Sequence, residues 1–160
     1  MFATEFEYQK ASSVSEAIQL LGSNSDAKIL AGGHSLLPLM KLRLARPGTV
    51  IDISGIEELK GISVENGTLR IGPLTTHAEI AASSQVQSAA GILWETAKGI
   101  GDPQVRNRGT IGGNVAHADP GSDLPTVLTA LNAQFSIQGP GGLTRRGSRT
   151  ADRARRPRGG

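Results

Sequence analysis

The sequence predicts an α/β or α+β protein with two small subdomains. Its 160 residues are about the size of one domain. Glycine supplies 21 of them, against a usual share of about 7%, which favours turns and close backbone approaches over a helical bundle. Short β-rich runs alternate with amphipathic segments in the order β-α-β-α-β, followed by a hairpin, helices and a last strand. No internal repeat is evident at any period from about 20 to 50 residues.

The first strand is expected over residues 6–9. Val14, Ala17, Ile18 and Leu21 then fall on one helical face, with Ser13 and Glu16 in capping-box spacing and Gly22 as the expected stop. A strand over 28–31 leads into a helix-compatible run over 36–44, with Ser35 as its cap and Pro38 tolerable in its first turn, and another strand follows over 49–53. Residues 61–64 and 68–71 flank Asn66-Gly67, the dipeptide of a two-residue hairpin turn, which also explains Asn66-Gly67-Thr68 better than a glycosylation signal does. Val86, Ala89, Ala90, Leu93, Trp94 and Ala97 define a second amphipathic helix. Leu124, Val127, Leu128 and Leu131 define a third, before a strand over 134–138.

Composition excludes several functions. With no cysteine, the chain carries no disulfide, thiolate zinc site, iron–sulfur cluster or cysteine nucleophile. Redox chemistry would therefore rest on a cofactor. No apolar run approaches the roughly 18 residues of a membrane span, and Met1-Phe2-Ala3-Thr4-Glu5 is no signal-peptide start. The chain reads as soluble and cytoplasmic, or membrane-peripheral only through a complex. Its net charge of +3 misleads, because seven arginines and one acid lie from Thr144 onward. Removing them from 17 basic and 14 acidic residues leaves 10 against 13, an acidic body of net −3. Residues 143–160 are expected to be a disordered arginine-rich tail, since they hold too little apolar surface to offset ordering.

Two glycine pairs stand out. Ala31, Gly32, Gly33, His34 and Ser35 lie between a strand and a helix-compatible run, where the backbone can approach a ligand closely and its N–H groups can face an anion. Thr110, Ile111, Gly112, Gly113 and Asn114 repeat the theme and read as a second loop suited to wrapping donors around an oxyanion. Asp123 reads equally as the N-cap of the third helix or as a ribose or flavin contact, and Arg106 and Arg108 as phosphate-assisting or merely surface arginines. Neither G-x-G-x-x-G nor the P-loop pattern occurs, and Gly33-His34-Ser35-Leu36-Leu37 lacks the last glycine of a nucleophile elbow. His34, His77 and His117 are far apart with no carboxylate pair at ligand spacing, so no metal site is expected.

Together, Ala31 to Pro38, Thr75-Thr76-His77-Ala78, Asp102 to Arg106, Thr110 to Asn114 and Ala118 to Pro125, in register from about residue 3 to 142, make the chain closely resemble the FAD-binding medium subunit of carbon monoxide dehydrogenase, xanthine dehydrogenase and related molybdenum hydroxylases. The resemblance implies an α+β flavin domain of the p-cresol methylhydroxylase type, with subdomains over about 1–56 and 57–142. It also implies that Ala31 to Ser35 and Thr110 to Asn114 bind FAD, with Asp123 a further flavin contact and no catalytic residue. The implied partners are a large subunit holding a molybdenum cofactor and a small subunit holding two 2Fe-2S clusters, in a hetero-oligomer whose FAD passes electrons to an external acceptor. No nucleic acid is expected as a partner. Family members continue beyond residue 142 into a separate C-terminal α/β domain, which is missing here; a reading-frame shift near that point would account for the tail. A stand-alone flavin oxidoreductase and an inactive truncated fragment are the alternatives.

Overall fold

The computed structural model describes residues 2–147. The N-terminal part is a three-stranded parallel sheet ordered β1-β3-β2, built from β1 (Glu7–Lys10), β2 (Lys28–Leu30) and β3 (Thr49–Asp52). Helices α1 (Val14–Ser23) and α2 (Leu36–Lys41) are the crossovers that parallel neighbours require. The central strand β3 is buried at all four positions, as expected of a strand covered on both faces. Ala11, Ala17, Ala27, Ile51, Ile56 and Leu74 form the core beneath it.

Several boundaries differ from those the sequence suggests. The first strand is shifted by one residue. In α1, Ser13 accepts from the Glu16 N–H, but Glu16 reaches back to Ser12 rather than Ser13, and the helix passes through Gly22 to Ser23 before Asn24 donates to the Leu20 carbonyl. Ser35 precedes α2 without any side-chain cap bond. That helix ends at Lys41, short of residue 44, because Arg43 turns left-handed at φ 59° while Arg43 and Leu44 donate to the Met40 and Leu39 carbonyls, a Schellman closure.

The rest of the chain is an antiparallel hairpin and a cluster of helices. β4 (Ile62–Glu65) and β5 (Thr68–Ile71) join through Asn66 and Gly67, both at positive φ as a type I′ turn demands. Next come α3 (His77–Ala82), α4 (Ser84–Ala89), α5 (Gly91–Gly99), α6 (Pro103–Arg108), α7 (Ile111–His117) and α8 (Asp123–Ala130). The single helix expected from Val86 to Ala97 is thus two, broken at Ala90 (φ −149°, ψ 63°) beside Gly91. Its apolar spacing survives the break because Val86, Leu93 and Ala97 all enter the second core with Ile80, Ile111 and Leu124.

The last hairpin pairs β6 (Gln134–Gly139) with β7 (Gly142–Gly147). This corrects the expectation of disorder from residue 143: residues 143–147 are strand, paired through a turn at Pro140-Gly141 that Gly142 closes at φ 98°. Every residue of β7 is exposed. The remainder of the expected tail, residues 148–160, lies outside the described residues.

Candidate functional site

The fold brings both glycine pairs to one place. A Cβ on Gly32 would lie 1.8 Å from the Arg108 carbonyl oxygen, and one on Gly113 would lie 3.9 Å from the Ala31 Cβ. The segment at the end of β2 is therefore seated on the turn between α6 and α7. A cavity of about 660 Å³ opens there, within the usual range of about 300–1,000 Å³ for small-molecule sites. Ala31 to Ser35, Thr110, Gly112, Gly113 and Asn114 all line it.

The two segments present different chemistry. No described hydrogen bond engages the N–H groups of Gly32, Gly33, His34, Ser35 or Leu36, so that turn offers a run of open donors. Gly33 holds φ 78°, a left-handed conformation that suits glycine. His34 bends back to place Nδ1 3.2 Å from the Gly32 carbonyl. The second segment is not the donor-wrapping loop its glycines suggest; Thr110 is the N-cap of α7 and Ile111 to Asn114 are its first turn. The N–H groups of that turn are consumed internally: Ile111 donates to Thr75 O (3.0 Å), Gly112 to Pro73 O (2.9 Å), and Asn114 to Thr110 O (3.0 Å). Gly113 donates to the Thr110 hydroxyl at 3.2 Å. Gly112 is glycine for space, since a Cβ would meet the Pro73 carbonyl oxygen at 2.7 Å.

Two expected site residues stand away from the cavity. Ile111 is buried in the second core. Asp123 is exposed and does not line the cavity; it opens α8, whose N-cap is Ser122. Ser122 instead touches the site indirectly, its hydroxyl donating to Asn114 Oδ1 at 2.9 Å. Arg106 is structural, its Nη1 donating to the Ile100 and Gly101 carbonyls at 3.0 Å each. Arg108 lines an adjoining cavity of about 210 Å³ with Lys60 and Glu79; it shares Ala31, Gly32, Leu74 and Thr110 with the large one.

Sequence reasoning left one feature unseen. All three histidines, His34, His77 and His117, line the large cavity together with Lys28, and among the described residues no carboxylate does. Such a lining favours an anionic ligand over a cation. Among the described residues, no group of three or more His, Cys, Asp or Glu side chains is placed to hold a metal ion. His77 is only 3% exposed, and its burial lowers its pKa below the ordinary 6.5. It opens α3, which carries a full capping box between Thr76 and Glu79. That Thr-x-x-Glu spacing signals the start of α3 in the sequence, but not that His77 lines a cavity.

A second charged feature lies at the end of β3. Asp52 accepts from the Tyr8 hydroxyl (2.5 Å) and the Ser54 N–H (2.8 Å). Burial pushes its pKa up, but those hydrogen bonds and nearby Lys10 outweigh it and leave the carboxyl below its ordinary 3.8. Asp52 tethers the sheet rather than facing the cavity.

Residues 4–150 match the family described as the FAD binding domain in molybdopterin dehydrogenase. The carbon monoxide dehydrogenase medium chain of Hydrogenophaga pseudoflava is 52% identical over 143 residues, covering 89% of this chain and 50% of that one. The glyceraldehyde dehydrogenase medium chain of Sulfolobus acidocaldarius is 41% identical over 142 residues, with the same coverage. Among solved structures, carbon monoxide dehydrogenase from H. pseudoflava superposes with a TM-score of 0.92 at 51% identity, covering 93% of this chain and 52% of that one. Quinoline 2-oxidoreductase from Pseudomonas putida 86 superposes at 0.90 with 36% identity, covering 92% and 52%. The chain spans about half the length of these relatives.

Proposed function

The chain belongs to the family of FAD binding domains in molybdopterin dehydrogenases, and on that footing we propose that it is the flavoprotein part of a molybdenum hydroxylase, holding FAD in the cavity between its glycine segments. The observation that carries this reading is the run of open N–H donors from Gly32 to Leu36, in a cavity lined by Lys28 and three histidines and, among the described residues, by no carboxylate. That donor set fits a diphosphate, whose oxygens only accept hydrogen bonds.

The residues proposed to hold FAD are Ala31, Gly32, Gly33, His34 and Ser35 on one wall and Thr110, Gly112, Gly113 and Asn114 on the other. Ile111 acts by anchoring α7 in the core, and Asp123 stands next to Ser122, through which Asn114 is oriented. The second wall contributes shape and packing rather than backbone donors. When bound, FAD supplies the redox chemistry at its ring; this chain binds and orients it, and no side chain is required as general acid or base. The further reading follows the relatives: a molybdenum-cofactor large subunit and an iron–sulfur small subunit as partners, electrons passing from their clusters to FAD and on to an external acceptor, in the cytoplasm. Among the described residues, no helix is long and apolar enough to cross a membrane.

The test is equilibrium binding. FAD titrated into the full chain is expected to lose fluorescence saturably, and Gly33→Ala, which puts a side chain at φ 78° and 2.8 Å from Leu37, to weaken binding by roughly tenfold or more. Flavin fluorescence unchanged by the protein would contradict a cofactor site formed by these residues.

A further inference from the structure

His77 is held in place without any partner for its ring. Its backbone N–H donates to the Gly109 carbonyl at 3.0 Å, and Nδ1 is buried with no hydrogen-bond partner. No described hydrogen bond reaches Nε2 either. A buried polar atom left in this state is uncommon, and an orphaned N–H is rarer than an unpaired lone pair. The proton is therefore assigned to Nε2, leaving the lone pair on the enclosed Nδ1.

Gly109 governs what the Nε2 edge meets. A Cβ there would lie 2.9 Å from His77 Cδ2 and 3.0 Å from Nε2, as well as 3.0 Å from the Val105 carbonyl. Its φ of −61° is open to any residue, so this glycine is required by space and not by conformation. Both Gly109 and His77 line the large cavity. The missing side chain at 109 thus leaves uncrowded the edge of the imidazole that carries the donor. Burial keeps the ring neutral near pH 7, so it acts as a hydrogen-bond donor without bringing a charge into the wall.

The geometry points to His77 Nε2–H as a hydrogen-bond donor to an anionic oxygen of the cavity's ligand, which on the flavin reading, on which this inference rests, is a diphosphate oxygen of FAD. His77 is then a binding residue for the cofactor, distinct from the open backbone donors of Gly32 to Leu36.

The experiment uses the full chain labelled with ¹⁵N-histidine, titrated separately with FAD and with ADP, and follows the His77 ring nitrogens. The ligand-free spectrum is expected to report a neutral ring protonated at Nε2, and both ligands to shift that nitrogen. In parallel, His77→Leu is expected to weaken FAD binding by roughly tenfold or more, and His77→Gln, which retains an amide donor near the Nε2 position, by no more than about threefold. FAD binding with His77 resonances unmoved would overturn this inference and leave the flavin reading standing. ADP moving His77 while FAD fails to bind would support the donor and overturn the flavin reading. Equal weakening by Leu and Gln, with unchanged melting of the ligand-free protein, would overturn the hydrogen bond.

Discussion

At the scale of single residues, Gly32 and Asp52 set the frame of the site. The Gly32 neighbour is backbone, the Arg108 carbonyl, and cannot rotate away from a new methyl group. Gly32→Ala is expected to cost roughly 3 kcal/mol, because β2 or the α6–α7 turn must move; a urea midpoint within error of wild type would contradict the contact. Asp52 works through pH. Its carboxyl is held below the ordinary 3.8 when folded, so the unfolded chain takes up the proton first as pH falls. The stability it contributes is complete above that value and is lost as pH drops through the lower folded pKa. Asp52→Asn is therefore expected to be less stable than wild type by about 1 kcal/mol at pH 7, with the gap closing below about pH 4. Melting curves across that range would show it, and a gap that does not depend on pH would refute it. His77 has the same sign in a higher window. Burial lowers its pKa from 6.5, so ligand-free wild type is expected to lose stability as pH falls from that value and His77→Gln to lose less.

At the scale of elements, the short helices depend on their caps. In α3, Thr76 accepts from the Glu79 N–H while Glu79 accepts from the Thr76 N–H and hydroxyl. Thr76→Ala is expected to cost about 1 kcal/mol and to loosen His77, the first residue of that helix; faster amide exchange over residues 77–82 would register it, and unchanged exchange would count against it. The same cap was legible in the sequence as Thr-x-x-Glu, as was Asp102-Pro103 at the start of α6. Both helices escape a periodicity reading because six residues give no room for an apolar stripe. Local signals served well where the structure is local: α1, α8 and the Asn66-Gly67 hairpin stand where spacing and turn chemistry put them. The break at Ala90 was hidden because the buried face continues across it. The helical state of Ile111 to Asn114 was hidden because part of what holds its first turn is distant in sequence, the Pro73 and Thr75 carbonyls. That the three histidines share a cavity follows from topology alone and leaves no trace in their spacing.

At the scale of the whole molecule, two cores, one under the parallel sheet and one among the helices, hold the two walls of a cavity against each other. Leu74, which packs into the first core, lies just before α3 and also lines the cavity. Cofactor binding across these walls would stabilise the whole chain by linkage. The division of labour between the walls is the most specific consequence of the proposed site: no described hydrogen bond engages the Gly32 to Leu36 amides, whereas those of Ile111 to Asn114 are bonded within the protein. Amide hydrogen exchange of the full chain with and without saturating FAD tests it most directly. The expected result is strong new protection at Gly32 to Leu36 and a much smaller change at Ile111 to Asn114. Protection confined to Ile111 to Asn114, with the Gly32 to Leu36 amides exchanging as freely as before, would contradict it.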